Sequence, residues 1–377
     1  ANQNYNGTSY NVAVGHEAGN DITTGVQNTI IGAEAGDALT TGSYNTALGF
    51  RALSAEDTGG NSTAIGYYAL SKQNNDGNNY NIAMGHSSGA EITTGTNNIL
   101  LGGLTGGGLV GGSHNVAIGT QALFTEDGHG RNVAIGHEAL KVQDAGADAY
   151  NVAVGYQAGV AVSTGIRNII IGADAGISIT SASYNVAIGY NALGDETTNS
   201  NNVAIGDASM SSSEKSAKNV AIGSNTLQNV TKGTTTGTYN TAVGYNAGIN
   251  ITSAIRNTLV GGLAGDALTD GNTNVAVGYQ SLGSETRGDR NVAIGKDALA
   301  SQNNTSDTDV YNTAVGYAAG GAVTTGVQNT LIGGLAGDAL TTGSYNTVLG
   351  YNALSTEDAG SYNTAIGYQA LNAMDAG

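Results

Sequence analysis

A five-residue pattern, Asn-Xaa-Ala-aliphatic-Gly, recurs along the chain from the copy ending at Gly15 to the copy ending at Gly367. There are 21 copies, and 16 of the 20 intervals between their glycines are 17 residues long. The position before the glycine is aliphatic or Met in every copy, and the position before that is Ala in 15. Because side chains alternate between the two faces of a strand, the pattern predicts one short strand per copy and a corner at each glycine.

A second apolar position follows each repeat glycine and divides the copies into two classes. In copies that read GxxAG it lies seven residues after the glycine, as at Ile22 and Leu39, and in copies that read GxxAL it lies four after, as at Leu53 and Leu70. We expect this residue and the aliphatic residue before the glycine to be two inward anchors of each copy. The copies form five blocks, and in the second copy of each block a larger residue replaces the usual middle Ala. These residues are Ile30, Leu100, Ile170, Leu259 and Leu331.

The two classes alternate in a fixed order, two GxxAG copies and then two GxxAL copies, with one additional GxxAL-type copy in the third block. The blocks cover residues 11–80, 81–150, 151–239, 240–311 and 312–377, and no linker interrupts them. A unit this short cannot bury a core alone, whereas stacked units share one. We therefore predict an all-β fold: a single continuous parallel β-solenoid over residues 1–377, with about 21 coils. At about 4.8 Å per coil it would form an elongated rod on the order of 100 Å long.

Two residue types mark every coil at the same place, which predicts structural ladders along the stack. Asn begins 20 of the copies, with Ser62 in the remaining one, and stacked Asn side chains can hydrogen-bond to one another. Glycine suits a corner that needs a positive φ or leaves no room for a Cβ atom. The ladder residues that we single out are Asn11, Asn28, Asn45, Asn81, Asn98, Gly15, Gly32, Gly49, Gly85 and Gly102.

The NVAIG and NTAIG motifs resemble the head repeats of trimeric autotransporter adhesins and the similar repeats of phage tail-fibre proteins, and the resemblance covers essentially the whole chain. It implies a left-handed parallel β-roll, commonly with three chains side by side, exposed outside a cell or on a virion. The dominant interval is longer than the usual adhesin head repeat. This difference favours a phage-type fibre segment over an adhesin head.

Composition excludes several classes of partner and chemistry. With 12 Lys and Arg residues and a net charge of -17, the chain is not expected to bind nucleic acid. No apolar stretch approaches the roughly 20 residues of a membrane-spanning helix, so we expect no membrane insertion. The chain has no Cys, which removes disulfides and thiol chemistry. Serine-nucleophile motifs, phosphate loops and paired carboxylates in a cleft are also missing from the sequence, so we expect no enzyme activity, no cofactor and no metal.

Seventeen of the 19 tyrosines occupy two columns, directly before the repeat Asn or directly after the repeat Gly. Examples before the Asn are Tyr10, Tyr44, Tyr184 and Tyr345, and examples after the Gly are Tyr190, Tyr279 and Tyr351. An aromatic ring with a polar tip suits a surface that binds glycans or proteins. The alternative is that these tyrosines stack along the rod or pack between chains.

Other candidate sites have weaker support. Acidic loops such as SAEDTGG from Ser54 and FTEDGHG from Phe124 suggest calcium, but two adjacent carboxylates are too few, and we expect solvated turns. The Arg287-Gly288-Asp289 tripeptide is expected to be a chance match. His16, His86 and His137 lie in distant coils and cannot share a metal ion. The Thr pairs, a candidate ice-binding face, occupy only some coils and begin at Thr23, Thr40, Thr93, Thr324 and Thr341.

The sequence thus favours a non-enzymatic structural or adhesive fibre segment that attaches to a host or another surface. We expect an extracellular, cell-surface or virion location and a homo-oligomer, either a trimer or a filament, with a surface glycan or host receptor as a further partner. A self-assembling extracellular filament is the main alternative. An ice-binding solenoid is a minor one, because the Thr pairs do not persist on every coil.

Overall fold

The computed structural model describes residues 8–231, 237–306 and 308–373, and over these residues every regular element is a β-strand. The chain divides into two compact units, residues 1–185 and 186–377. Each coil contributes one parallel three-residue strand, and 21 such strands form the stacked solenoid. The prediction of an all-β parallel β-solenoid with about 21 coils is confirmed. Its left-handed sense stays a prediction.

The strands occupy the three residues that follow each repeat Asn. In the first unit they are β1 Val12–Val14, β2 Thr29–Ile31, β3 Thr46–Leu48, β4 Thr63–Ile65, β5 Ile82–Met84, β6 Ile99–Leu101, β7 Val116–Ile118, β8 Val133–Ile135, β9 Val152–Val154 and β10 Ile169–Ile171. In the second they are β11 Val186–Ile188, β12 Val203–Ile205, β13 Val220–Ile222, β14 Thr241–Val243, β15 Thr258–Val260, β16 Val275–Val277, β18 Val292–Ile294, β20 Thr313–Val315, β21 Thr330–Ile332, β22 Thr347–Leu349 and β23 Thr364–Ile366. Two-residue strands β17 Gly288–Asp289 and β19 Thr308–Asp309, in the loops of two neighbouring coils, form a small second pair.

Within each unit, consecutive strands pair so that equivalent residues of neighbouring coils lie side by side. Val12 pairs with Thr29, one 17-residue interval away. The longer intervals keep the same register, since Val220 of β13 pairs with Thr241 of β14 across 21 residues. Intervals of 17 and 21 residues therefore give the same strand register.

In every three-residue strand except β1 only the middle residue is buried, and in β1 all three residues are exposed. Ala47 and Ala64 are fully buried, whereas the flanking residues are exposed or half-buried. The expectation that the aliphatic residue before the glycine points inward is wrong: Val14 is 57% exposed and Met84 is 46% exposed. The reason is strand parity, because a three-residue strand that directs its central side chain inward directs both neighbours outward.

The two copy classes are two ways of filling the same interior. The residue four after the repeat glycine has a left-handed backbone in both, with φ of 55° at Gly19 and at Leu53. In a GxxAL coil the Leu side chain enters the core beside a small Ala. In a GxxAG coil the glycine leaves space: a Cβ atom at Gly19 would lie 2.9 Å from Ile22 Cδ1 and 3.0 Å from Ile30 Cδ1. The apolar residues at the second anchor position, such as Ile22, Leu39, Leu53 and Leu70, are buried.

Backbone hydrogen bonds between coils continue outside the strands. Gln27 N–H donates to Ser9 O at 2.7 Å, and Glu34 N–H donates to His16 O at 2.8 Å. Both donor residues have positive φ, 58° for Gln27 and 53° for Glu34. The left-handed residues thus turn the chain at each corner while they keep backbone groups paired with the neighbouring coil, which offsets part of their strain.

Candidate interaction surface and buried loop carboxylates

The repeat Asn side chains bind backbone groups of the next coil and of their own. Asn28 N–H donates to Asn11 Oδ1 at 2.8 Å, and Asn28 Nδ2 donates to Gly42 O at 2.9 Å. The same pair of bonds holds Asn45, whose N–H donates to Asn28 Oδ1 and whose Nδ2 donates to Gly59 O. Further along, Asn98 N–H donates to Asn81 Oδ1. The asparagines therefore tie successive coils together from inside.

The repeat glycines form a close-packed backbone column. Gly15, Gly32, Gly49, Gly85 and Gly102 all have φ between 137° and 139°, a region that L side chains rarely adopt. A Cβ atom at Gly15 would lie 2.4 Å from Gly32 O. Both the conformation and the space require glycine here.

Within each unit, the outward positions of the strands form an uncharged surface. The first strand residue is Val, Ile or Thr in every coil, and the third is Val, Ile, Leu or Met. Several of these residues are largely exposed, including Leu48 at 41% and Leu349 at 46%. We call this surface, together with the two tyrosine columns beside it, the outer face. It is an exposed apolar patch of the kind that marks binding surfaces.

The tyrosine columns form the two sides of the outer face. All 17 column tyrosines are exposed, by between 44% at Tyr345 and 77% at Tyr362. The other tyrosines singled out from the sequence belong to the same exposed set: Tyr10, Tyr44, Tyr184, Tyr190, Tyr279 and Tyr351. Those before the repeat Asn have a left-handed backbone, with φ of 64° at Tyr44 and 61° at Tyr184. Their rings are consequently presented to solvent.

Within a column, rings stack on rings or on cations of the neighbouring coil. Tyr345 and Tyr362 stack with centroids 4.9 Å apart, and Tyr351 and Tyr368 with centroids 5.8 Å apart. Where the column holds Arg, the guanidinium takes the place of a ring: Arg167 Cζ lies 5.5 Å from the ring centroid of Tyr184. Stacking along the coils and exposure to solvent therefore occur together at these side chains.

A charged groove lies on another part of the first unit. It has a volume of about 490 Å³ and is lined by residues that include Glu34, Asp37, Arg51, Tyr68, Lys72 and Glu91. Arg51 Nε donates to Glu34 Oε2 at 2.5 Å, and Lys72 Nζ donates to Glu91 Oε2 at 2.6 Å. Burial raises the pKa of Asp37. This volume falls in the range of small-ligand sites.

The acidic loops contain five glutamates that point into the solenoid, contrary to the expectation of solvated turns. These loop glutamates are Glu56, Glu126, Glu196, Glu285 and Glu357, and each is at most 1% exposed. Glu285 Oε1 accepts backbone N–H bonds from Thr286, Arg287 and Gly288. The loop glutamates therefore organise the backbone of their own loops as buried hydrogen-bond acceptors.

A sequence signal for the loop glutamates exists but is easy to miss. Each lies seven residues after its repeat glycine, the position that Ile22 and Leu39 occupy in GxxAG coils. In the following coil the same position holds Gln in three blocks, and Gln73 Nε2 donates to Glu56 Oε2 at 3.0 Å. Position in the coil, and not polarity, determines that these side chains are buried.

Burial raises the pKa of three of these carboxyls, Glu56, Glu126 and Glu196. It raises the pKa of Glu56 and of Glu196, against backbone hydrogen bonds that lower it. For Glu126, burial raises the pKa to about 7, and repulsion from Asp144 and Asp127 adds to the effect. The cause is that a carboxylate removed from water is harder to ionise.

The Arg287-Gly288-Asp289 tripeptide, the histidines and the Thr pairs all contact neighbouring residues of the solenoid. Gly288 is buried and Asp289 Oδ1 accepts the N–H of Asn272, so the tripeptide belongs to the ladder between coils. His86 stacks on Tyr67 and His137 on Tyr156, in separate coils. The first Thr of each pair donates its hydroxyl to a backbone carbonyl of the next coil. The donor and acceptor residues are Thr23 and Thr40, Thr40 and Asp57, Thr93 and Val110, Thr324 and Thr341, and Thr341 and Asp358.

Comparison with known proteins adds no family to this description. Neither a scan against protein-family models nor a search of curated proteins finds a match. The described part of the chain contains no helix that could span a lipid bilayer. Arguments about function therefore rest on the geometry of the coils and their surfaces.

Proposed function

We propose that this chain is a non-enzymatic fibre segment that acts outside a cell or on a virion, and that its outer face attaches it to other surfaces. The observation that carries the proposal is the outer face itself: an uncharged strip of strand positions that recurs on coil after coil of each unit and is bordered by exposed tyrosines in 11 of the 21 coils. The resemblance to adhesin and tail-fibre repeats supports the same role. The loop glutamates serve the solenoid as acceptors for backbone N–H groups, which is a structural use of acidic residues.

The dimensions of the outer face suit a second copy of this chain as one partner. From one tyrosine column to the other the face spans seven residues, or about 20 Å, and ten coils extend about 48 Å. One unit therefore offers roughly 1,000 Å², comparable to the roughly 800 Å² that each partner buries in a standard interface. With a net charge of -17, copies repel one another elsewhere, whereas the strand positions of this face carry no charge.

Attachment to a host surface is supported by the tyrosine columns and by the charged groove of the first unit. Exposed rings with hydroxyl tips suit the faces and hydroxyls of sugars. The groove combines the side chains of Glu34, Arg51 and Tyr68 in a volume adequate for a short saccharide. A glycan or a glycosylated receptor is accordingly the external partner that we propose.

Self-assembly into an extracellular filament is the second candidate function, favoured by the exposed aliphatic residues on the outer face. It differs from the first in that chains add without limit and no external receptor is needed. Light scattering over a range of protein concentrations separates the two. A closed oligomer supports the attachment role, and growth with concentration supports the filament.

The test introduces charge on the outer face. We expect Leu48→Lys with Met84→Lys to weaken association through the first unit, because each ammonium group would have to be desolvated in the interface. The matched control is Thr41→Lys with Thr94→Lys, which adds the same charge at exposed turn positions. Light scattering gives the mass, and glycan-array binding gives attachment. If both variants behave like the wild type in both assays, the outer face is not the contact surface and the proposal fails.

A further inference from the structure

The loop of the seventh coil differs from the other acidic loops in the partners of its glutamate. Glu126 is fully buried and its Oε1 accepts the N–H of His129 at 3.2 Å. Its Oε2 has no hydrogen-bond partner among the described residues, and neither has the buried Nδ1 of His129. Two buried polar atoms without partners in one loop are costly unless something binds them.

The loop in the first block shows what is missing. There Glu56 Oε2 accepts hydrogen bonds from Gln73 Nε2 at 3.0 Å and from Asn79 Nδ2 at 2.9 Å. In the second block the equivalent Gln143 donates to Ser163 O instead, at 3.1 Å. Ala149 stands where Asn79 does, two residues before the next repeat Asn. Glu126 therefore loses both amide donors that its counterpart has.

In place of amide donors, this loop brings metal-ligating groups together. One ligand atom from each of Glu126, Asp127, His129 and Asp144 lies within 4.8 Å of the others. His129 Nδ1 is 3.7 Å from Glu126 Oε1. Asp144 belongs to the next coil, and in the first block Asn74 occupies the equivalent position. His129 is the only histidine in any of the five acidic loops.

We propose that Glu126, Asp127, His129 and Asp144 form a site for one divalent first-row metal ion, such as Zn²⁺ or Mn²⁺. Three carboxylates and one imidazole are a mixed oxygen and nitrogen donor set, which these ions accept, whereas Ca²⁺ and Mg²⁺ prefer oxygen alone. With ligand bonds of about 2.0–2.2 Å, a bound ion would draw the four atoms closer together. It would join the loop of the seventh coil to the eighth and offset the excess of negative charge. This inference is independent of the proposed function.

The first experiment measures binding of Zn²⁺ to the full chain by isothermal titration calorimetry. We expect one ion per chain, and at least about tenfold weaker binding in His129→Ala, because the imidazole is a direct ligand. The control is His137→Ala, which removes an exposed histidine of the eighth coil that stacks on Tyr156. This variant should bind Zn²⁺ like the wild type. Co²⁺ absorption in the wild type should report a nitrogen and oxygen coordination sphere that His129→Ala changes.

A second variant keeps the result interpretable if His129→Ala unfolds the loop. Asp144→Asn changes an exposed side chain and removes one carboxylate ligand, so it should also weaken Zn²⁺ binding by about tenfold. Circular dichroism checks that each variant is folded. Zn²⁺ binding that is unchanged in both variants, or the lack of any Zn²⁺ binding, overturns the site. Ca²⁺ binding as tight as Zn²⁺ binding and unaffected by His129→Ala overturns the assigned class of metal.

Discussion

At the scale of single residues, the solenoid depends on backbone conformations that most side chains avoid. The repeat glycines have φ near 138°, and each corner holds non-glycine residues with φ near 55°. A left-handed conformation costs a non-glycine residue roughly 1–2 kcal/mol. Inter-coil hydrogen bonds and core packing compensate for that cost, which is why Leu53 can adopt the same φ as Gly19.

The glycine column should tolerate no side chain. In Gly32→Ala the new Cβ atom would lie 2.4 Å from Gly49 O, in a φ region that alanine avoids. We expect the free energy of unfolding to fall by more than about 4 kcal/mol. Urea denaturation measures it. Gly77→Ala is the control, since no atom lies within 4 Å of its added Cβ, and a comparable loss there would refute the argument from space.

The buried Glu56 predicts a pH dependence of stability. Burial raises its pKa above the ordinary value of 4.5, so the folded protein holds the proton where the unfolded chain has released it. The resulting stabilisation is complete below about pH 4.5 and is lost as the pH rises through the folded pKa. Thermal melting of the wild type between pH 4 and pH 8 should therefore show a more negative slope than melting of Glu56→Gln. Parallel curves would mean that Glu56 does not titrate in this range.

At the scale of the coil, the core depends on which residue takes the central strand position. The Ile and Leu residues at this position occur in the second GxxAG coil of each block, where a glycine of the same coil and one of the preceding coil leave space. Cβ atoms at Gly89 and Gly106 would lie 2.7 and 3.0 Å from the Leu100 side chain. The pairing of two consecutive GxxAG coils in each block follows from this packing.

Two adjacent leucines test this account of the coil. Leu100→Ala should lower the free energy of unfolding by about 2–5 kcal/mol, because the cavity between the two glycines cannot close. Leu101→Ala removes the same atoms from the outward position of β6 and should cost less than about 1 kcal/mol. Urea denaturation of both variants gives the comparison. Equal losses would show that the inward and outward assignments are wrong.

At the scale of the whole molecule, the repeat period and the parallel stacking were predictable from the sequence, because they follow from the spacing of Asn and Gly. The sequence did not predict which strand side chains point inward. Ala47 and Leu48 are both apolar, and the alternation of side chains along a strand does not say which of the two faces the interior. The burial of Glu56 was also missed, because its acidic neighbours suggest a turn in water. The proximity of Glu126, His129 and Asp144 depends on the paths of two neighbouring loops, which the repeat period does not determine.

The packing of each large central residue between two glycines limits how the number of coils in the chain can change during evolution. A coil contacts the coils before and after it, so exchange between repeats can add or remove coils without disturbing distant ones. Loss of one GxxAG coil, however, would place a residue such as Leu100 beside a leucine-filled neighbour. Duplication or loss of a four-coil block keeps every such residue between its glycines. The pair of GxxAG coils must therefore stay whole when the chain changes length, whereas single GxxAL coils can be added, as in the third block.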